Sequence, residues 1–252
     1  MALDPKWTSG NELNYLNQVL SNSEQVRENP FTDRFEDAFC KKYGVKYAIA
    51  VNSGTSGLHS ALVAAGVRPG DEVITTPFTV LVDSSVPVIM GAEPVFADID
   101  PDTHNIDPHS IEERITKKTK VIIPVAHDGL PYDIDRVMKI ANEHNLIVIE
   151  DNAQAMLAEY KGRYVGKDAH ITMFSFERTK HVSTGEGGIL ITNNHDLAVK
   201  SRKFAGMGFK NLSAKKSDLV AGVPLEYQNP TYERNDELGL NYRFNEFLAA
   251  IA

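Results

Sequence analysis

Short β-rich runs alternate with amphipathic stretches over most of the chain. Several runs are almost continuously apolar, as in Leu146–Ile149, and such runs are typical of parallel strands that helices cover on both faces. The predicted strands are Lys46–Val51, Glu72–Thr75, Pro94–Ala97, Lys120–Pro124, Leu146–Glu150, His170–Phe174 and Gly188–Thr192. The predicted helices are Thr55–Ala65, Leu81–Met90, Ile111–Lys117, Ile134–His144 and Asn194–Phe204. The alternation predicts an α/β domain with a mostly parallel sheet between layers of helices.

The two ends of the chain lack this alternation. Residues 1–30 are polar and contain no strand pattern, so we predict an N-terminal arm or helix there and the main domain over residues 31–252. The polar stretch Lys210–Arg234 is predicted to be a long loop or insertion. Tyr242–Ala252 has the pattern of an amphipathic helix but ends without a C-cap. This ending fits either a truncated chain or a natural C-terminal helix.

Composition and charge narrow the class of protein. The 252 residues, 42% of them apolar, can bury the core of one large domain. With 26 basic and 34 acidic residues, the chain lacks the excess of basic charge expected for nucleic-acid binding. The single cysteine, Cys40, excludes a disulfide within this chain, and the histidine spacing indicates no metal site. Because no signal-peptide pattern and no membrane-length apolar run occurs, we predict a cytoplasmic protein without a membrane partner.

The first segment that could carry chemistry is Val51–Leu58, which follows a strand and opens a helix. Gly54 and its small neighbours would let a ligand approach the backbone, and the free N–H groups of a helix start favour a phosphate. Thr55 and Ser56 add hydroxyl donors. The alternative is a tight strand-to-helix turn in which serine and threonine only cap the helix.

The second segment is Leu146–Gln154, where two carboxylates follow a buried strand. In open α/β sheets, ligands bind at the carboxyl ends of strands. Glu150 and Asp151 point to opposite faces if the strand continues, so a paired acid–base dyad is not predicted. A carboxylate here can keep a ring nitrogen protonated by charge pairing, whereas the alternative is a solvated acidic turn.

The third segment is Phe174–Gly188, which places Lys180 between a strand end at Ser175 and a glycine-rich turn. Most lysines are solvated surface charges, which is the alternative interpretation. Lysine is nevertheless the side chain that forms imines with carbonyl compounds. Glycines in the turn would let the chain pass close to a bound cofactor.

These segments, in this order, resemble the DegT/StrS-type sugar aminotransferases, a branch of the fold-type-I enzymes that use pyridoxal phosphate (PLP). The matching segments are Asn52–Gly57, Gly70–Ile74, Pro77–Thr79, Gly91–Asp100, Val148–Gln154, Ser175–Gly188 and Gly239–Arg243. The most family-specific part of the match is a pair of motifs. One is Lys180 with the Gly-Glu-Gly-Gly run that follows it, and the other is Asp151 with Ala153-Gln154. The resemblance implies an aspartate-aminotransferase-like large domain, a three-layer α/β fold whose mostly parallel sheet is flanked by helices.

The resemblance also implies roles for individual residues. Lys180 is expected to form the Schiff base with PLP, Asp151 to pair with the pyridine nitrogen, and Gln154 to lie by the ring hydroxyl. Phosphate contacts are expected from the helix-start segment and from the strand end, namely from Gly54, Thr55, Ser56 and Ser175. Asn241 matches the asparagine that family members send to the phosphate of the neighbouring subunit, which implies a homodimer with shared active sites.

Two departures from the family pattern stand out. Family members usually place an aromatic residue after the Phe-Thr pair, where it stacks on the PLP ring, but this chain has Val80. An aliphatic side chain can cover a ring face but offers no π-stacking. The family chain also continues beyond the equivalent of Ala252 into a smaller C-terminal domain, which is expected to be absent here.

The resemblance implies transfer of an amino group, which in such enzymes usually comes from glutamate, to the keto group of a nucleotide-linked deoxysugar in polysaccharide biosynthesis. A dehydratase of the same family is a second interpretation. Its known types replace the lysine by histidine or add an iron–sulfur cluster, and both Lys180 and the single cysteine argue against it. A third interpretation is a catalytically inactive or regulatory fragment, which the absent domain and Val80 favour.

Overall fold

Seven strands form one mixed sheet in the computed structural model, which describes residues 9–22, 24, 26, 30–215 and 230–252. The strands of this sheet are β1 (Tyr47–Val51), β2 (Glu72–Thr75), β3 (Glu93–Phe96), β4 (Thr119–Ile122), β5 (Ile147–Asp151), β8 (Ile171–Ser175) and β9 (Gly188–Thr192). A separate two-stranded hairpin consists of β6 (Glu159–Tyr160) and β7 (Arg163–Tyr164). The boundaries of β2 and β9 agree with the prediction, and those of the other five predicted strands differ by one or two residues.

The strand order is β1-β9-β8-β5-β4-β2-β3. Pairing is parallel from β8 through β5, β4 and β2 to β3, and antiparallel on both sides of β9. Strand β1 therefore runs in the same direction as β8, and six of these seven strands point their carboxyl ends to the same edge. The prediction of a mostly parallel sheet is confirmed.

Helices cover both faces of this sheet. They are α1 (Glu12–Leu20), α2 (Phe31–Tyr43), α3 (Gly54–Ala64), α4 (Val82–Ile89), α5 (Pro108–Arg114), α6 (Ile134–His144), α7 (His195–Ala205) and α8 (Glu246–Ala249). One face packs under α3, α4 and α7, and the other packs under α2, α5 and α6. Alternate residues of each strand enter the two layers, as Val148 and Ile149 do in β5. The three-layer prediction is therefore confirmed.

Helix α2 was not predicted from the sequence. Its apolar side chains Phe31, Phe35 and Phe39 recur every four residues, which is the spacing of one helical face, and Gly44 ends the helix in a left-handed conformation with φ 66°. Within residues 1–30, the described helix is α1, where Tyr15 packs its ring 5.1 Å from that of Phe31. Of the described residues in the predicted loop over Lys210–Arg234, none belongs to a helix or strand, and residues 216–229 lie outside the described residues.

The predicted helix over Tyr242–Ala252 is wrong for its first four residues. Tyr242 accepts a backbone hydrogen bond from Asn52 at 2.8 Å, and Arg243 forms a β-bridge to Val51. Phe244 is buried between the rings of Phe35 and Phe176. Only after the extended Asn245, whose side chain caps the Leu248 N–H at 3.0 Å, does the four-residue α8 begin. Pairing with the end of β1 has overridden the helical pattern.

Candidate active site

Five loops meet at the edge where the strands β1, β2, β4, β5 and β8 end. The loops carry Ser53–Ser56, Thr79–Asp83, Ala126–Gly129, Ala153–Gln154 and Phe176–Lys180. Such an edge is where open α/β sheets bind ligands, because the strand ends there leave a crevice lined by loops. These five loops therefore form the candidate site.

The loop after β1 starts α3 with a reciprocal cap. The Oγ atom of Ser53 accepts the Ser56 N–H at 3.0 Å, and the Ser53 N–H is donated to Oγ of Ser56 at 3.1 Å. The Ser56 hydroxyl donates to the Ser53 carbonyl oxygen at 2.8 Å. The Ser56 side chain is thus engaged in the cap, while the exposed Thr55 and the N–H groups of Gly54 and Thr55 lie at the open end of an eleven-residue helix, where an anion is favoured.

Ser175 lies directly against this helix start. A methyl group on Gly54 would lie 3.1 Å from Cβ and 3.3 Å from Oγ of Ser175, so the backbone approaches the serine more closely than a larger residue would allow. Gly188, the first residue of β9, supports the loop from behind, because a Cβ atom there would lie 2.6 Å from the Ser53 carbonyl oxygen. The structure therefore brings Gly54, Thr55 and Ser175 together, and the supporting role of Gly188 was not predicted.

Asp151 is the last residue of β5 and is only 4% exposed. Its Oδ1 accepts the Ala153 N–H at 2.8 Å, and its carbonyl oxygen accepts the Ala126 N–H at 3.1 Å. Burial raises the pKa of Asp151, while the Ala153 N–H and the nearby charge of Lys180 act to lower it. Lys180 is half-buried in the turn after β8. The two residues predicted to carry the chemistry thus interact electrostatically across the site.

A second buried carboxyl group, which was not predicted from the sequence, accompanies Asp151. Asp83 lies in the first turn of α4 with 0% exposure, and its Oδ2 accepts the Thr79 hydroxyl at 2.7 Å. Asp151 is close enough for its negative charge to act on the carboxyl group of Asp83. Burial and the negative charge of Asp151 raise the pKa of Asp83 well above its ordinary value.

Glu150 points away from Asp151, as the strand pattern predicts. Its Oε1 accepts the Tyr132 hydroxyl at 2.8 Å and its Oε2 accepts the Thr172 hydroxyl at 2.7 Å. Burial raises the pKa of Glu150, and these two hydrogen bonds lower it. Glu150 belongs to the interior between α6 and the sheet, so the dyad with Asp151 is excluded by the geometry.

Gln154 lies half-buried next to Asp151 and is held by the loop after β4. Its Oε1 accepts the Asp128 N–H at 2.7 Å, which leaves the amide N–H₂ group to donate elsewhere. The loop itself is supported by Asn105, whose Oδ1 accepts the His127 N–H at 3.0 Å. An interaction of Gln154 with a ring hydroxyl remains a prediction that this anchoring supports.

Val80 is 52% exposed in the loop between β2 and α4. The aromatic group of this loop is instead Phe78, whose ring centroid lies 4.5 Å from that of His127 and 5.5 Å from that of His104. These rings form a wall on the loops after β2, β3 and β4. The wall was not predicted, because its members are far apart in sequence.

Asn241 lies on the extended segment that pairs with the end of β1. Its carbonyl oxygen accepts a hydrogen bond from the Asn52 side chain at 3.5 Å, and its backbone forms a bridge to Gly206. The residue is exposed. The structure thus places Asn241 beside the loop that starts α3, with its side chain at the surface.

The carboxyl edge of this three-layer α/β sheet thus carries a half-buried lysine, a buried carboxylate, a helix start and a serine. The family model described as "DegT/DnrJ/EryC1/StrS aminotransferase family" matches residues 8–252. The chain belongs to this family, as the resemblance in the sequence indicated.

Relatives and solved structures agree with this assignment. The chain is 43% identical over 199 residues to a GDP-perosamine synthase of Caulobacter vibrioides, covering 79% of this chain and 54% of the relative. The X-ray structure of an aminotransferase from Psychrobacter cryohalolentis is similar with a TM-score of 0.84 and 37% identity, over 96% of this chain and 60% of that one. NtdA of Bacillus subtilis, solved with bound cofactor PMP, is similar with a TM-score of 0.79 and 30% identity, over 98% and 53% of the two chains.

The chain spans about half the length of the curated relatives it matches. The fold-type-I prediction is confirmed, and PLP is confirmed as the cofactor at the level of the family. Among the helices of the described residues, none has both the length and the apolar character needed to cross a membrane.

Proposed function

We propose that the chain is a PLP-dependent aminotransferase that acts on a keto group of a nucleotide-linked deoxysugar. The observation that carries the proposal is that Lys180, in the turn after β8, lies close enough to the buried Asp151 at the carboxyl edge of the sheet for its charge to act on that carboxylate. The residues present fit the cofactor, because this edge offers one amine, one buried carboxylate and a helix start. When bound, PLP supplies the electron sink that stabilises negative charge on the substrate carbon.

The phosphate of the cofactor would lie at the start of α3. The N–H groups of Gly54 and Thr55 and the hydroxyl groups of Thr55 and Ser175 are the donors available there. The positive end of the helix dipole favours the dianion. Because the Ser56 hydroxyl is engaged with Ser53, we assign Ser56 to shaping the loop and expect its direct contribution to the phosphate to be small.

Lys180 and Asp151 would act on the two ends of the cofactor ring. The Nζ atom of Lys180 would hold the cofactor covalently, and after an amine substrate displaces it, Nζ would move a proton to and from the reacting carbon as base and acid. Asp151 would keep the ring nitrogen protonated by charge pairing. Gln154, anchored by the Asp128 N–H, would donate its amide hydrogen to the ring hydroxyl.

The substrate class is supported by the relatives. The name GDP-perosamine synthase identifies a relative that makes an amino sugar linked to a nucleotide. We propose glutamate as the amino donor and a nucleotide-linked keto sugar as the acceptor. The aromatic and imidazole wall of Phe78, His104 and His127 lies on the loops after β2, β3 and β4, where we expect it to pack against a substrate.

We expect the chain loaded with PLP to convert a nucleotide-linked keto sugar into its amine when glutamate is supplied. The measurement is a mass screen of several such sugars, with formation of 2-oxoglutarate as the second readout. Omitting glutamate provides the control. A chain that holds the cofactor on Lys180 but yields no amine from any keto sugar would contradict the proposed activity and favour the inactive-fragment interpretation.

The shared-site homodimer is a further part of the proposal. Asn241 is exposed beside the loop that starts α3, and in a two-fold interface each subunit would give and receive the same contact. We expect Asn241→Ala to weaken PLP binding by about tenfold or more, the effect of one hydrogen bond to a charged group, without a change of fold. Fluorescence titration measures the affinity and sedimentation measures the dimer.

The matched control is Asn142→Ala, which removes an exposed asparagine from α6. Its affinity for PLP should equal that of the wild type. If the wild-type chain is a monomer and binds PLP no more tightly than Asn241→Ala does, the shared-site model is wrong.

A further inference from the structure

Asp83 and Asp151 are two buried carboxyl groups whose negative charges would repel each other. Asp83 is fully buried, its Oδ2 accepts the Thr79 hydroxyl at 2.7 Å, and no donor from the described part of the chain reaches its Oδ1. Asp151 is 4% exposed, and its negative charge acts on Asp83. Two adjacent buried carboxylates cannot both stay ionised without a large cost. One proton shared between them removes the conflict.

We propose that Asp83 is a positioning residue that carries this proton at neutral pH and donates it in a hydrogen bond from Oδ1 to the carboxylate of Asp151. The pair then holds a single negative charge, located on Asp151. The proposal rests on the proposed function, in which Asp151 faces the ring nitrogen of PLP. It adds a residue that acts through Asp151 and does not itself touch the cofactor.

The assignment of the proton to Asp83 follows from the neighbours of each group. Asp151 accepts the Ala153 N–H at 2.8 Å and lies near the positive charge of Lys180, and both favour its ionised form. Asp83 receives only the neutral Thr79 hydroxyl and lies beside the negative charge of Asp151. Burial and that charge both raise the pKa of Asp83. Because the ionised form of Asp83 is less stabilised than that of Asp151, Asp83 is the group that keeps the proton.

Other titratable groups near α4 do not compete for this role. The helix packs chiefly against α3, β2 and β3, whose titratable side chains are His59, Glu72 and Glu93. His59 is hydrogen-bonded to the Tyr242 hydroxyl at 3.0 Å, Glu72 accepts from Thr116 and Thr119, and Glu93 is exposed. Asp151 is the titratable group whose charge acts on Asp83 among the described residues.

The consequence for catalysis concerns the ring nitrogen. A hydrogen bond from Asp83 stabilises the ionised form of Asp151 and so makes Asp151 a weaker base. A weaker base leaves the proton on the ring nitrogen, where it strengthens the electron sink. The proposed hydrogen bond would also hold the Asp151 carboxyl group in one orientation, together with the Ala153 N–H.

The first test uses the protein without cofactor. The infrared difference spectrum of wild type minus Asp83→Asn at neutral pH should contain the C=O stretch of a protonated carboxyl group. Asp102→Asn, which changes an exposed carboxylate, is the control and should lack this band. Absence of the band in the Asp83→Asn difference would overturn the proposal, whether or not the chain binds PLP.

The second test follows stability with pH, and its sign is set by the raised pKa of Asp83. Above the ordinary value of 3.8, the unfolded chain loses the Asp83 proton while the folded chain keeps it. The contribution of Asp83 to stability therefore falls as pH rises toward the folded-state pKa. Relative to wild type, Asp83→Asn should gain stability with rising pH, by up to about tenfold in the unfolding equilibrium constant per pH unit. A flat difference in denaturant titrations from the ordinary pKa of 3.8 up to neutral pH contradicts the proposal.

The third test separates the hydrogen bond from mere packing. Asparagine can still donate to Asp151 and accept from Thr79, whereas leucine at position 83 can do neither. With PLP labelled at the ring nitrogen, the ¹⁵N shift should show a protonated nitrogen in wild type and Asp83→Asn, and loss of that proton in Asp83→Leu. Turnover should fall about 10-fold or more in Asp83→Leu and stay near wild type in Asp83→Asn. A protonated nitrogen in all three proteins would overturn the link to the cofactor, while failure of all three to bind PLP would contradict only the proposed function.

Discussion

Replacing Lys180 by alanine should lower turnover by about 10³-fold or more, the largest effect expected of any single substitution in this chain. The side chain would supply both the covalent attachment of the cofactor and the group that moves the proton, and general acid–base catalysis alone contributes about 10²–10⁴-fold. Lys180→Arg should be as inactive as the alanine variant, because a guanidinium group keeps the charge but does not deprotonate to act as a nucleophile.

Covalent labelling tests the same role without relying on turnover. Borohydride reduction of the PLP-loaded protein followed by peptide mapping should place a pyridoxyl group on Lys180. Lys200→Ala removes an exposed lysine of α7 and should leave both label and turnover unchanged. A label on another lysine, with none on Lys180, would refute the assignment.

Asp151→Ala should have the second largest effect, a loss of about 10²-fold or more in turnover with a much smaller loss of cofactor affinity. The reason is that the buried carboxylate would pair with the charge on the ring nitrogen, and removal of one such electrostatic contact typically costs about 10²–10³-fold. The phosphate donors at the start of α3 remain, so the cofactor should still bind. Single-turnover kinetics and PLP titration separate the two effects.

Glu150→Gln is the matched control for Asp151. Glu150 is the neighbouring carboxyl group, but it is bonded to Tyr132 and Thr172 on the other face of the strand. The substitution is expected to alter stability and to leave the visible spectrum of the bound cofactor unchanged. Near-normal turnover in Asp151→Ala would show that another group keeps the ring nitrogen protonated.

Much of the fold follows from local pattern. The continuous apolar runs and the polar residues that end them predict the strands of the sheet, because a strand buried on both faces needs apolar residues at nearly every position. The candidate residues Gly54, Asp151, Ser175 and Lys180 could also be predicted from local sequence pattern. Each lies at the end of a strand or in the loop after it, and parallel strands deliver their carboxyl ends to one edge. The family motifs then assign the cofactor, which the pattern alone could not do.

The tertiary structure decided the features that depend on contacts between segments far apart in sequence. Nothing local pairs Asp83 with Asp151, since 68 positions separate them (151 minus 83) and each alone resembles an ordinary turn or helix-start aspartate. The extended path of Tyr242–Phe244 is likewise set by hydrogen bonds to Asn52 and burial against Phe35. The physical reason is the same in both cases. A side chain's protonation state and a segment's conformation depend on which groups share its low-dielectric or hydrogen-bonded surroundings, and only folding brings those groups together.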